Sequence, residues 1–170
     1  VNFYTQDIYA IDFTQMNEQD SESVLNFRNH PETSKWMYSK NISKESHLNF
    51  ISMLKNNSTS YYWLMKKAEV LLGVGSITRI NSTHKHAYLG IYKNPLLKHA
   101  GKEILKCLEH IGFKEFCLHT LHLEVLESNQ RAIIFYENHH YIYEGKLLDF
   151  VLKNNQYENV LIYGKRNDNE

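Results

Sequence analysis

The chain is poor in the residues that mark several broad classes of protein. It has two cysteines, Cys107 and Cys117, too few for a disulfide framework, and two prolines, too few for an extended or low-complexity linker. Nineteen Lys+Arg against nineteen Asp+Glu leave a formal net charge of zero, with the signs scattered. That balance argues against nucleic acid or an anionic membrane as the main partner. No run of about 18 apolar residues occurs, so no transmembrane helix is expected. Residues 1–10 show no basic stretch followed by an apolar block, so no export signal is expected and a reducing cytoplasm is the default location. The three Asn-x-Ser/Thr sequons, at Asn41, Asn57 and Asn81, are read as chance on that basis. What is present is a chain of 170 residues with 42% hydrophobic and 13% aromatic residues. That suits one folded domain over 1–170 with a real core.

The hydrophobic pattern reads as strands and helices in mixed order. Residues 8–13 alternate loosely as a first strand. Residues 21–29 form a helix that stops at His30-Pro31, because proline disfavours helix at the residue before it. Ser43 is a helix N-cap with Glu45 in the first turn, and Leu48, Ile51 and Leu54 give that helix an apolar face with His47 and Phe50 beside it. Strands follow at 61–65, 70–80 and 86–92. Gly73 and Gly75 in the second of these are assigned to backbone geometry. A helix over 101–113 carries Ile104, Cys107, Leu108 and Ile111 on one stripe, which makes Cys107 a packed core thiol. A strand at 120–126, a helix at 129–138 and closing strands at 141–151 and 159–165 complete the chain, with a frayed tail from Lys165 to Glu170. Consecutive strands ahead of the central helix indicate an α/β or α+β class with a largely antiparallel sheet.

Two stretches stand out chemically. In Leu121-His122-Leu123-Glu124-Val125-Leu126, period-two alternation puts Leu121, Leu123 and Val125 on one side and His122, Glu124 and Leu126 on the other. A carboxylate in mid-strand between apolar neighbours is costly unless hydrated or partnered, although a solvated face explains it as well. Tyr136 lies seven residues beyond Asn129, on the same helical face. With an unperturbed pKa of about 10, its hydroxyl is a workable proton donor to a thiolate. The second stretch is Lys98-His99-Ala100-Gly101-Lys102-Glu103, a basic loop opening a helix, where free amides and two lysines suit an anion. A merely solvated helix entry remains open there.

Taken together, these motifs resemble the GCN5-related N-acetyltransferase superfamily. Asn129, Ala132 and Tyr136 match the family's Asn-x-x-Ala-x-x-x-Tyr in full. The loop Lys98–Lys102 stands where the family has its pyrophosphate loop, with Lys98 for Arg/Gln and Glu103 for a small residue. The Leu-Glu-Val of 123–125 resembles the branch that acetylates protein N-termini. Phe27-Arg28-Asn29-His30-Pro31, Trp36-Met37-Tyr38-Ser39 and the stretches 72–78 and 84–95 resemble a branch acting on nucleotide sugars in pseudaminic acid biosynthesis for flagellin glycosylation. The resemblance implies a mixed, mostly antiparallel sheet of about seven strands with helices on both sides. Its fourth and fifth strands, here 86–92 and 120–126, would splay to admit acetyl-CoA.

It also implies roles. Glu124 would be the base and Tyr136 the acid. Leu89 and Ile91 would hold the pantetheine, and Lys98, His99, Ala100, Gly101, Lys102 and Asn129 complete the acetyl-CoA site. Arg28, His30, Trp36, Met37, Tyr38, His47 and Tyr88 would contact the acceptor. That acceptor is implied to be the 4-amino group of a UDP-4-amino-4,6-dideoxy-N-acetyl-altrosamine, reached by direct transfer. No metal, nucleic acid or membrane is implied, and the oligomeric state is left open, a homodimer included. A protein N-terminal (ribosomal-protein-type) acetyltransferase and an acyl-CoA-binding module without catalysis remain the alternatives.

Ten histidines raise the question of a metal. His119 and His122, three apart on a strand, point to opposite faces, and His84 with His86 supplies two ligands where zinc needs at least three. No metal site is expected.

Overall fold

The computed structural model describes residues 1–168, so Asn169 and Glu170 of the tail expected to fray lie outside the described residues. The chain runs β1 (Phe3–Thr5), β2 (Ile8–Asp12), a short 3-10 turn, α1 (Glu18–Asn29), α2 (Pro31–Ser34), α3 (Lys44–Leu54), β3 (Tyr61–Lys67), β4 (Val70–Asn81) and β5 (His86–Lys93). It continues through α4 (Ala100–His110), a π turn (Ile111–Glu115), β6 (Thr120–Leu126), α5 (Gln130–Asn138), β7 (Ile142–Lys153) and β8 (Gln156–Arg166). One eight-stranded sheet forms in the order β1-β2-β3-β4-β5-β6-β8-β7. Every neighbouring pair is antiparallel except β5 and β6.

The sheet has eight strands rather than about seven because Phe3–Thr5 adds an edge strand to β2. Three residues are too few to show a period. Lys165 and Arg166, expected in the frayed tail, belong to β8 and pair with Leu121 and Thr120. The β7–β8 hairpin turns on Asn154 and Asn155, both in the left-handed region (φ 49° and 61°), which asparagine tolerates and a tight hairpin needs.

Each face of the sheet buries a core of its own. On one face α4 lays Ile104, Leu105, Cys107 and Leu108, all nearly or fully buried, over Trp63, Met65, Ile77 and Leu89. Each fully buried aliphatic side chain contributes about 1.5–3 kcal/mol. Close approach of α4 depends on Gly75, where a Cβ would meet Leu108 Cδ2 at 2.9 Å. Gly73, at φ +143°, is equally confined: a Cβ there would sit 2.5 Å from Lys93 Cα. On the opposite face α1 and α3 cover Leu64 and Val74 with Val24, Phe50, Ile51 and Leu54.

Ser43 caps α3 by accepting from Ser46 N. The face that packs is His47, Phe50, Ile51 and Leu54, whereas Leu48, expected in the apolar stripe, is 49% exposed. One residue's rotation exchanged a leucine for a histidine because His47 finds hydrogen bonds inside.

Candidate functional site

β5 and β6 pair over three positions, His86 with Thr120, Ala87 with Leu121 and Tyr88 with His122, and then part. From Leu89 onward β5 keeps its partner β4 but has none on the β6 side, while β6 stays paired to β8 through Leu126. The strands that splay are the expected segments, numbered fifth and sixth here because of β1. A cleft of ≈ 1490 Å³ opens in the gap and extends beneath α1, α2 and the loop at 35–43.

At one end the cleft reaches the start of α4. His99 stands at the N-cap position without a side-chain cap, so among the described residues no N-cap side chain satisfies the first amides of the helix. Lys98, His99, Gly101 and Lys102 line the cleft there, as do Leu89 and Ile91. The Ala100 side chain is buried in the core, which leaves its backbone as the part able to meet a ligand. Lys93 and Arg131 add positive charge that sequence reasoning passed over. Burial pushes the Lys93 amine below its usual value, and Arg131 nearby pushes it further. Facing cations at a helix N-terminus favour a polyanion. A phosphorylated carrier of coenzyme A type therefore fits this end.

In the middle, Glu124 on β6 projects to the cleft side while Leu121, Leu123 and Val125 are buried on the other, as the alternation required. Tyr38 donates to Glu124 Oε2 at 2.9 Å, and Arg79 Nη1 lies 3.2 Å from Oε1. Burial and the neighbouring carboxylate push the Tyr38 hydroxyl well above its usual value, so it remains a donor. Asn129 is the N-cap of α5, accepting from Ala132 N at 3.2 Å, and it lines the cleft. Two turns on, Tyr136 is nearly buried between Phe135 and Tyr141, and its burial drives the phenol far above its ordinary pKa. Among the described residues its hydroxyl has no hydrogen-bond partner, yet the residue lines the cleft. It is a protonated, uncommitted donor.

The far end is built from α1 and the loop at 35–43. Asn29 ties that loop down, donating to Ile42 O and accepting from Ile42 N. Arg28 Nη2 donates to Ser39 Oγ at 2.9 Å, while Nη1 is buried with no partner among the described residues. Burial depresses the guanidinium from its usual value. A buried donor left unpaired calls for a ligand or water. Trp36, Met37, Tyr38, His47 and Tyr88 line the same region. His47 is 3% exposed, with Nε2 3.0 Å from Ser21 O. The same nitrogen lies 3.1 Å from Ser21 Oγ, so both oxygens of Ser21 hold the ring. His30 stands apart. Its Nδ1 accepts from Glu32 N at the start of α2, a capping role, and it does not line the cleft.

Arg79, like Lys93 and Arg131, lines this site and was missed by sequence reasoning. It lies in β4 where the register shifts between Thr78 and Asn81, at φ +50°, a conformation that costs a non-glycine residue about 1–2 kcal/mol. Its guanidinium stacks 3.6 Å above the Tyr88 ring. Nothing in the local sequence marks the bulge.

Cys107 is buried on the inner face of α4, its thiol pushed up to about 12, and it does not line the cleft. His84 stacks on His86, which meets His122 edge to face, with His122 tilted against Tyr88, but no group of three or more metal-ligating side chains converges among the described residues. No helix among them is long and apolar enough to cross a membrane.

A family model described as Acetyltransferase (GNAT) domain matches residues 11–141. The chain is 31% identical over 138 residues to Acetyltransferase PseH of Campylobacter jejuni, covering 81% of this chain and 87% of that protein. The crystal structure of C. jejuni N-acetyltransferase PseH in complex with acetyl coenzyme A superposes with a TM-score of 0.74 at 22% identity, covering 95% of this chain and 99% of that one. Spermidine N-acetyltransferase from Vibrio cholerae, in complex with CoA and spermine, superposes with a TM-score of 0.84 at 17% identity, covering 95% and 96%. These likenesses describe the fold.

Proposed function

The chain belongs to the acetyltransferase (GNAT) domain family and is an acetyl-CoA-dependent N-acetyltransferase, and from that premise we propose that it acetylates the 4-amino group of a UDP-4-amino-4,6-dideoxy-N-acetyl-altrosamine by direct transfer. The reaction would serve pseudaminic acid biosynthesis for flagellin glycosylation, in the cytoplasm. The observation that carries this reading is the continuity of one cleft. It runs from the uncapped start of α4, past Glu124 and Tyr136, to the unpaired Nη1 of Arg28.

Acetyl-CoA supplies an activated thioester. The amides opening α4, with Lys98 and Lys102, hold its pyrophosphate, and the unpaired edge of β5 at Leu89 and Ile91 takes the pantetheine. Asn129 shapes the opposite wall by capping α5. Glu124 receives the proton that leaves the amine, directly or through water. Tyr136, kept protonated by burial, delivers a proton to the departing thiolate. Arg28 matches a diphosphate with the planar fork of its guanidinium, and Trp36, Met37, Tyr38, His47 and Tyr88 form the walls for sugar and base.

A thiol-release assay tests the reading, with the UDP-amino sugar and peptides bearing free N-termini as separate acceptors. Release matched to acetylated sugar, and negligible with peptides, is expected. Faster release with peptides would replace the acceptor assignment. No release from any acceptor would point to a binding module without catalysis.

A further inference from the structure

Arg79 lies outside every sequence motif, yet the fold holds it in a costly backbone conformation beside Glu124 in the middle of the cleft. Arg79 and Ile80 together oppose the single Ala87 of β5, because Thr78 pairs with Tyr88 and Asn81 with His86. Regular alternation would turn the Arg79 side chain away from the face that carries Thr78 and Glu124. The bulge, with φ +50°, turns it back, and it stacks on Tyr88 and reaches Glu124 Oε1 at 3.2 Å. The Glu124 side chain is 16% exposed, and its other oxygen is held by Tyr38, a neutral donor. Arg79 thus supplies the positive charge of the pair.

A half-buried carboxylate without a cation partner attracts cations and favours the protonated form of any amine beside it. An ammonium has no lone pair and cannot attack a thioester. We infer that Arg79 is a positioning and specificity residue: by pairing with Glu124 it cancels the carboxylate's pull on ammonium groups, so the cleft accepts an amine as the free base and turns away polycations. The stack on Tyr88 fixes the guanidinium plane, so neutralisation leaves the second lone pairs of the carboxylate open for a proton. Sugar amines, weakened as bases by neighbouring oxygens, are the class this arrangement favours. Aliphatic polyamines, cationic at neutral pH, are the class it excludes. The inference rests on the proposed transfer at Glu124, but its electrostatic content is read by binding as well as by turnover.

The test is calorimetric titration of spermidine into the full chain with coenzyme A, comparing wild type, Arg79→Gln, Arg79→Lys and the double variant Arg79→Gln/Glu124→Gln. Unchanged coenzyme A affinity establishes that each variant is folded. Wild type and Arg79→Lys are expected to show no saturable binding. Arg79→Gln is expected to bind spermidine saturably, with a Kd at least about tenfold below the highest spermidine concentration at which wild type shows none, and the double variant to lose that binding. In the same single variant, spermidine should compete with the amino sugar and raise its KM, with Arg79→Lys restoring wild-type behaviour. Absence of tighter spermidine binding in a folded Arg79→Gln protein, or a gain that persists without the Glu124 charge, would overturn the role given to Arg79. Failure of wild type to acetylate the nucleotide sugar would overturn the acceptor assignment instead, and the spermidine titration would still decide the electrostatic claim.

Discussion

Tyr38 and Glu124 meet across the cleft, phenol to carboxylate at 2.9 Å, although 86 positions separate them in the chain. The bond joins the loop at 35–43, which walls the acceptor end, to the strand that carries the proposed base. Replacing Tyr38 by phenylalanine removes this tether while leaving the wall in place. The expected result in steady-state kinetics is an acceptor KM raised by about tenfold, since hydrogen bonds to charged groups contribute about 1.5–3 kcal/mol. The acetyl-CoA KM should not move, because Tyr38 lies away from the start of α4.

Tyr136→Phe isolates the proposed acid. The ring stays packed against Phe135 and Tyr141, and among the described residues the hydroxyl that is lost has no partner to leave unsatisfied. Turnover should fall by about 10²- to 10⁴-fold, the usual contribution of general acid–base catalysis. Acetyl-CoA affinity, measured by calorimetry, should be unchanged. Full turnover in this variant would remove Tyr136 from the mechanism.

Much of this site could be read from the sequence wherever a signal is local. Asn129 and Tyr136 share a helical face and match the family's Asn-x-x-Ala-x-x-x-Tyr, Ser43 shows capping chemistry, and Glu124 is a charge in an alternating strand. Arg79 could not be found that way, because its position depends on a bulge that reverses alternation and on Tyr88, which arrives from another strand. His47 and Leu48 exchanged places for a related reason. The helical period allows either to face inward, and the choice was made by Ser21, 26 positions away, which offers the histidine a carbonyl. His30, expected beside Arg28 at the acceptor end, caps α2 through its Nδ1 and lies off the cleft lining. The edge strand at Phe3–Thr5 was too short to announce itself.

Burial lowers the His47 pKa in the folded protein, more strongly than its bond to Ser21 raises it. The unfolded chain, with a histidine pKa of about 6.5, then binds a proton that the folded chain refuses. Stability should hold above that pH and decline as pH falls through it toward the lower folded value. In urea titrations, the drop in midpoint between pH 7.5 and 5.5 should be smaller in His47→Gln than in wild type. Equal drops would show that His47 does not set this dependence.

The two cysteines should separate in reactivity. Cys107 is buried, with its thiol pushed up to about 12, whereas Cys117 is exposed. Thiolates, not thiols, are alkylated. Brief treatment with iodoacetamide at pH 7.5 should label Cys117, spare Cys107 and leave acetyl transfer intact, as read by peptide mass spectrometry and the thiol-release assay. Loss of activity that tracked labelling of Cys107 would reopen a covalent route through that residue.

The most direct measurement is a crystal structure of the protein with acetyl-CoA. The pantetheine should lie between the Leu89–Ile91 edge of β5 and the Leu123–Val125 stretch of β6, with the pyrophosphate at the start of α4. The sulfur should sit within hydrogen-bond reach of the Tyr136 hydroxyl, and the acetyl group should face Glu124. A complex in which β5 and β6 close into a continuous pair, or in which the thioester lies outside the gap and away from Tyr136, would contradict the account.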